Sequence, residues 1–238
     1  MATATLQDPT PSAPPILATA PTPSTTPTPA PMPQPGPAFT LYKMSSDLYE
    51  RIAEAGLLGP RDRVVLLDGF LVNQMPIGPS HSSAVARGHV ALQASAPPGW
   101  YVRPEQPIIL RGGPAGDSAP QPDLAIVVGT IERYDTRHPI GVEVGLVVEV
   151  AADLDAVRID RAGMARYAHA GIPIACIVNI FDRSVEVYTD PSGPVAEARY
   201  RSVATLRPGQ VLAGEIGNAT TGPAALGPIA VEAFFAPN

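Results

Sequence analysis

Two apolar runs decide the fold of this chain: Gln121–Val128, with the sequence QPDLAIVV, and Gly145–Val150, with the sequence GLVVEV. Each run is short, rich in β-branched residues and bounded by turn signals, which predicts a buried strand. Each also carries one carboxylate, Asp123 at the start of the first run and Glu149 inside the second. We therefore expect a sheet that holds two acidic side chains at its centre.

The two carboxylates need compensation, because a buried charge without a partner costs on the order of several kcal/mol. A divalent cation held by carboxylate oxygens would supply it. Asp123 and Glu149 are therefore predicted metal ligands, for Mg²⁺ or alternatively Mn²⁺. The structural alternatives are a turn aspartate after Pro122 and a buried glutamate that is hydrogen-bonded to the following helix.

Composition narrows the class of protein. The chain has 238 residues, a net charge of −6 and a single cysteine, Cys176, so no internal disulfide can form. No apolar run approaches the roughly 18 residues of a membrane span, and there is no long basic run of the kind that favours nucleic acid. The N-terminus lacks the features of a secretory signal. We expect a cytoplasmic protein, with Cys176 packed in the core.

The chain divides into a tail and a domain. Residues 1–38 are rich in Pro, Thr and Ala, and Asp8 is their only charged side chain. Such a segment cannot bury a core, so we expect a disordered tail; a Pro-rich ligand for a groove is the alternative. Residues 39–238 are predicted to form one α/β domain.

Within the domain, a hairpin is expected to turn at Asp68-Gly69. A helix that connects the strands 145–150 and 174–180 predicts a parallel pair inside a mixed sheet. The other predicted elements are helices from Ser45 to about Gly56, over 82–96 and over 158–170, strands at 100–103, 107–111, 184–189 and 198–204, and a last apolar segment at 229–235.

Four stretches in this order resemble the Uma-type (DUF820) restriction endonuclease family, within the PD-(D/E)XK nuclease superfamily. They are Tyr49–Gly69, Met75–His81, the Asp123 and Glu149 strands, and Tyr167–Tyr188 with its Ala-Gly-Ile-Pro turn. The resemblance covers about residues 45–212. It implies a restriction-endonuclease-like core, a mixed central β-sheet flanked by helices. It also implies Mg²⁺-dependent cleavage of DNA, with Asp123 and Glu149 on the metal and His81 near the mouth of the active site. A homodimer is compatible with it.

The chain departs from the family pattern at the position of a lysine. That residue is expected in the helix before Tyr167. Counting forward from Asp160 gives Met164, and counting back from Tyr167 gives Gly163. The superfamily's other lysine position holds Ala151, and Val65 replaces the usual glutamate of the hairpin. The arginines of this helix (Arg158, Arg161 and Arg166) are read as a solvated face, from which one could replace the missing charge. The sequence therefore predicts a weakened endonuclease, or alternatively an inactive family member that binds DNA or protein.

Overall fold

A six-stranded mixed sheet forms the centre of the computed structural model, which describes residues 40–59 and 61–237. In spatial order its strands are β3 (Trp100–Pro104), β4 (Leu124–Val128), β5 (Val144–Ala151), β6 (Ile174–Asn179), β7 (Ser184–Pro191) and β8 (Tyr200–Leu206). Neighbouring strands are antiparallel except β5 and β6, which are parallel. The helix α3 (Leu154–His169) connects that pair, because parallel neighbours need a crossover. The predicted mixed α/β fold is confirmed.

Both faces of the sheet are covered, which explains the continuous apolar runs of β4 and β5. One face packs against α2 (Pro79–Ser95) and the hairpin of β9 (Val211–Glu215) and β10 (Ala225–Ala230). The other face packs against α3. Along β5, Val148 belongs to the first core, whereas Val147 and Ala151 belong to the second. Glu149 therefore points toward the α3 face.

A second hairpin lies outside the central sheet and was predicted from its turn. It consists of β1 (Val64–Leu67) and β2 (Phe70–Asn73). Asp68 and Gly69 both have positive φ, 53° and 86°, as a two-residue hairpin turn requires. The helix α1 (Ser46–Glu54) precedes the hairpin, and the Ser45 side chain caps its first turn.

Several predicted boundaries were wrong. The helix α2 begins at Pro79, a residue favoured at the first helical position, so His81 lies inside the helix. The helix α3 begins at Leu154 because the Asp153 side chain accepts hydrogen bonds from two backbone N–H groups. The segment 107–111 is no strand and makes isolated bridges at Ile109 and Leu110. The strand β9 was not predicted.

Two further expectations can be compared with the structure. Cys176 is buried in the core, as predicted. The tail expected at residues 1–38 lies outside the described residues. Among the helices that the structure describes, none is long and apolar enough to cross a membrane.

The close approach of α2 to the sheet gives a testable prediction. A Cβ atom at Gly88 would lie 2.9 Å from Leu124 Cδ1 and 3.0 Å from Phe234 Cδ1, and both neighbours are fully buried. We expect Gly88→Ala to lower the free energy of unfolding by about 1–2 kcal/mol, although alanine favours helix. Urea denaturation measures this change.

The matched control is Gly163→Ala on α3, where the nearest atom to a new Cβ is Arg166 Nη1, the far end of a long side chain, at 3.4 Å. This variant should gain about 0.5–1 kcal/mol of stability from helix propensity alone. Stabilisation by both substitutions would contradict the tight packing of α2 on β4.

Candidate active site

The register of β4 and β5 brings the two predicted metal ligands together. Leu124 pairs with Val148 in this antiparallel pair, so Asp123, one residue earlier, lies opposite Glu149. The backbone N–H of Asp123 donates to Glu149 Oε2 at 3.4 Å. The backbone N–H of Val150 donates to Asp123 Oδ2 at 2.7 Å. The backbone of each strand thus holds the carboxylate of the other.

His81 joins this pair from the first turn of α2. Its Nε2 lies 3.1 Å from Asp123 Oδ2, and the two side chains are only 14% and 15% exposed. The hydrogen bond to Asp123 is the main cause that raises the pKa of His81 above its usual value, against the opposing effect of burial. Nδ1 of His81 is buried, and no atom of the described residues is hydrogen-bonded to it.

Glu149 is held by Tyr167, whose hydroxyl donates a hydrogen bond to Glu149 Oε1. Burial raises the pKa of Glu149 well above its usual range, and the nearby charges of Asp123 and Asp160 raise it further. The pKa of Tyr167 is also raised, first by burial and then by the charge of Glu149, so its hydroxyl keeps its proton. Each oxygen of Glu149 therefore has a donor from the protein.

Asp160 is a third carboxylate at the site, and sequence reasoning missed it. It lies on α3, three residues before Gly163 and seven before Tyr167, so the three share one helical face. Burial raises the pKa of Asp160 to about 7, and the charge of Asp123 contributes in the same direction. The sequence signal for Asp160 is its helical spacing to Gly163 and Tyr167, which does not by itself distinguish a site residue from a solvated one.

These groups line one cavity of about 450 Å³ between the β1–β2 hairpin, the loop before β4, and α3. Gly163 lines this cavity, whereas Met164 packs in the core and is only 4% exposed. Of the two positions that the sequence left open for the lysine, only 163 faces the carboxylates. Val65 also lines the cavity, so two departures from the family pattern lie on its wall.

Several basic residues near the cavity are engaged by acidic or carbonyl groups, and Arg63, which also lines it, donates to the Met75 carbonyl at 3.3 Å. Arg166 lies on the wall, but its Nε and Nη2 donate to Asp68 at 3.0 and 2.7 Å. Arg161 pairs with Glu186 on β7 but is 54% exposed, in keeping with the expected solvated face, whereas Arg166 is only 27% exposed. Lys43 Nζ donates to the Ala115 carbonyl, and Lys43 does not line this cavity.

The donors present suit a hard cation. Among the described residues, no group of three or more His, Cys, Asp and Glu side chains is arranged to hold a metal ion. However, Mg²⁺ is commonly bound through one or two carboxylates, with water and substrate phosphates as the remaining ligands. Asp123 and Glu149 offer such a pair, and the raised pKa values of Glu149 and Asp160 show that negative charge here lacks full compensation.

Comparison with known proteins identifies the family. A model of the family Uma2, described as "Putative restriction endonuclease", matches residues 47–220. The chain belongs to the Uma2 family. The resemblance found in the sequence is thereby confirmed, and the matched range includes every residue of the site described above. Among curated proteins, none matches the sequence.

The fold of this Uma2 chain is similar to that of a solved structure. The crystal structure of a putative nuclease belonging to DUF820 from Anabaena variabilis ATCC 29413 matches with a TM-score of 0.50 and 15% sequence identity. The match covers 68% of this chain and 87% of that chain. At this identity the likeness shows the nuclease fold alone.

The raised pKa of Asp160 predicts a dependence of stability on pH. Between about pH 4 and pH 7 the metal-free folded protein retains a proton that the unfolded chain releases, so stability falls as pH rises through this window. Asp160→Asn removes this loss. We expect the free energy of unfolding of the variant to exceed that of the wild type by on the order of 1–3 kcal/mol at pH 8, and by less at pH 5.

Thermal denaturation with a chelator at the two pH values measures the difference. Asp155→Asn is the matched control, because it changes an exposed carboxylate on the same helix. If Asp160→Asn stabilises the protein equally at pH 5 and pH 8, the surroundings of Asp160 do not destabilise its ionised carboxylate.

Proposed function

We propose that this chain is a divalent-metal-dependent nuclease that cleaves DNA, with Mg²⁺ as its ion and Mn²⁺ as a substitute. The proposal rests chiefly on one observation: Asp123 and Glu149 meet, through the register of two buried strands, on the floor of an open cavity. Membership of a nuclease family supports DNA as the substrate. The proposed setting is the cytoplasm, where the single buried cysteine would stay reduced. A homodimer remains part of the proposal.

In this proposal Asp123 and Glu149 hold the ion through their carboxylate oxygens. The bound metal would polarise the phosphodiester and make a coordinated water more acidic. The chain's own groups prepare the ligands. The Val150 N–H and His81 Nε2 fix the orientation of Asp123, and the Tyr167 hydroxyl fixes that of Glu149.

His81 has a second part in the proposal, as a proton carrier. Its raised pKa favours a proton on Nε2, beside Asp123 Oδ2. A positioned acid or base of this kind contributes about 10²–10⁴-fold to a rate. Because His81 lines the same cavity as both carboxylates, it can exchange a proton with a group bound there.

The absence of a side chain at position 163 limits the proposed activity. Gly163 leaves the helical wall opposite the carboxylates without a cation to orient water or to offset developing charge. The arginine one turn later, Arg166, is fixed by Asp68. We therefore propose slow cleavage, with the metal ligands retained.

The nonpolar residues on the cavity wall support a second candidate function. Val65 and Gly163 present no polar side chain to the cavity, which is the composition expected of an inactive family member that binds DNA or protein without turnover. The two candidates differ in one measurable property, which is cleavage that depends on Asp123.

Substitution of the proposed metal ligands tests the nuclease proposal. Asp123→Ala and Glu149→Ala should each abolish cleavage of plasmid and single-stranded DNA in Mg²⁺ or Mn²⁺, because one of the two carboxylate ligands is lost. They should also weaken Mg²⁺ binding, measured by calorimetry, at least about tenfold. Asp155→Ala, an exposed carboxylate outside the cavity, is the control and should behave as wild type.

Equal cleavage by wild type and Asp123→Ala would attribute the activity to a contaminant. Metal binding without cleavage would favour the inactive binding module. Unchanged Mg²⁺ affinity in both variants would show that Asp123 and Glu149 are structural carboxylates.

A lysine at position 163 of α3 is expected to increase activity. Gly163→Lys should raise the cleavage rate by on the order of 10–10³-fold, because an ammonium group is restored on the face that lines the cavity. Initial rates on plasmid DNA measure the change. Met164→Lys cannot substitute for it, since position 164 is buried in the core.

Gly163→Ala is the control for this experiment. It separates the effect of the charge from the gain in helix stability of about 0.5–1 kcal/mol that follows the loss of glycine. A rate that is equal in the Lys and Ala variants would argue against a missing cation as the cause of weak activity.

A further inference from the structure

Three arginines surround one tyrosine ring at the end of β4 that is remote from the candidate site. The guanidinium carbons of Arg103, Arg133 and Arg137 lie 5.4, 5.7 and 5.0 Å from the centre of the Tyr134 ring. We call Arg103, Arg133, Arg137 and Tyr134 the arginine cluster. Its members come from β3 and from the loop between β4 and β5, so the fold itself brings three positive charges together.

The cluster contains one carboxylate for three cations. Glu143 Oε1 and Oε2 each lie 2.6 Å from one of the guanidinium groups of Arg133 and Arg137. The hydrogen bond from Arg137 is the main cause that lowers the pKa of Glu143 to about 2. Glu143 is therefore fully ionised and already shared between two arginines, which leaves an excess of positive charge.

Arg103 carries that excess. It is only 6% exposed, and within the described residues it has no ion pair. Its Nη1 donates to the Tyr101 hydroxyl at 3.0 Å, whereas its Nε is buried and has no hydrogen-bond partner in the part of the chain that the structure describes. The delocalised guanidinium cation of Arg103 is therefore a buried positive charge without a counter-ion among the described residues.

His138 provides a second unsatisfied group beside Arg103. Its Nδ1 is buried, and the described residues offer it no hydrogen-bond partner. Burial lowers the pKa of His138, and the charge of Arg103 lowers it further, so the ring is neutral and can present an N–H at Nδ1. Two buried nitrogen atoms without acceptors therefore accompany the uncompensated cation.

We propose that the arginine cluster binds a phosphate group. A phosphate would supply both the missing negative charge and acceptor oxygens for Arg103 Nε and His138 Nδ1. The planar guanidinium can donate two parallel hydrogen bonds to the oxygens of a phosphate. Arg133 and Arg137, whose side chains are 45% and 42% exposed, are the members of the cluster that solvent reaches. The phosphate comes either from a nucleic-acid backbone or from free phosphate.

This site is separate from the candidate active site. The Tyr134 hydroxyl donates to the Val128 carbonyl at the last residue of β4, whereas Asp123 precedes the first residue of that strand. Five residue steps of about 3.3 Å place these two points roughly 17 Å apart along the strand. The backbone of Arg103 pairs with Ala125, two residues from Asp123, but its guanidinium reaches away from Asp123 to the Tyr101 hydroxyl and the Tyr134 ring. No residue of the arginine cluster lines the cavity of Asp123 and Glu149, so the proposal does not depend on nuclease activity.

Thermal denaturation and calorimetry with inorganic phosphate test the proposal, with sodium chloride at matched ionic strength as the salt control. Phosphate should raise the melting temperature of the wild type, because it binds the folded state. Arg103→Gln should bind phosphate at least about tenfold more weakly and lose this stabilisation. Without phosphate the variant should melt no lower than the wild type, since an uncompensated buried charge has been removed.

Two further variants keep the test decisive. Arg137→Gln changes an exposed member of the cluster and should also weaken phosphate binding, even if Arg103→Gln fails to fold. Arg201→Gln, which removes an arginine paired with Asp190 on a different strand, is the matched control and should bind as wild type. Asp123→Ala should also bind phosphate normally, which separates this proposal from the proposed nuclease function.

A short single-stranded oligodeoxynucleotide distinguishes the two sources of phosphate. If the site holds a backbone phosphate, Arg103→Gln and Arg137→Gln should weaken oligonucleotide binding and lower the slope of log affinity against log salt by about one. If the site holds free phosphate, they should affect inorganic phosphate alone. The proposal is overturned if phosphate does not stabilise the wild type beyond the salt control, or if it binds wild type and Arg137→Gln equally.

Discussion

The pairing of β4 with β5 is the constraint on which the rest of the site depends. Because Leu124 is opposite Val148, the residues before and after them, Asp123 and Glu149, must meet at one end of the strand pair. A shift by one residue would turn one of the two carboxylates to the opposite face of the sheet. The apolar side chains of both strands are packed in cores on both faces, so such a shift would also exchange side chains between two differently shaped cores. The hydrophobic core thus fixes the geometry of two polar groups.

The parallel pairing of β5 with β6 places the helix α3 over the carboxylates. A parallel neighbour requires a crossover, and α3 runs over the same face of the sheet to which Glu149 points. Its face toward the strands contributes Tyr167, Asp160 and Gly163 in successive turns. The topology of the sheet therefore decides which α3 residues meet the carboxylates, although none of them is near Asp123 in the sequence.

The sequence revealed the strands of the site more fully than its helices. Asp123 and Glu149 could be found because a carboxylate is conspicuous inside a run of buried β-branched residues. Asp160 could not, because a polar residue on an amphipathic helix is ordinary until the helix is placed on the sheet. The sequence also does not show which side of the helix faces the carboxylates, so it left Gly163 and Met164 equivalent. The structure distinguishes them, because Met164 is buried in the core. The pairing of Arg166 with Asp68 spans nearly a hundred residues, so no local pattern could predict it.

The arginine on the helical wall of the cavity is held by a bidentate ion pair. Arg166 follows Gly163 by three residues and lies on the same wall, where its Nε and Nη2 both donate to Asp68. Release of this guanidinium would leave the partly buried Asp68 without its partner, which is unfavourable. Arginine would also stay protonated, so it could offset charge but could not exchange a proton with water. Besides Arg63 on the cavity wall, the groups available to compensate this negative charge are His81, a proton on Glu149 or Asp160, and a cation that enters with solvent.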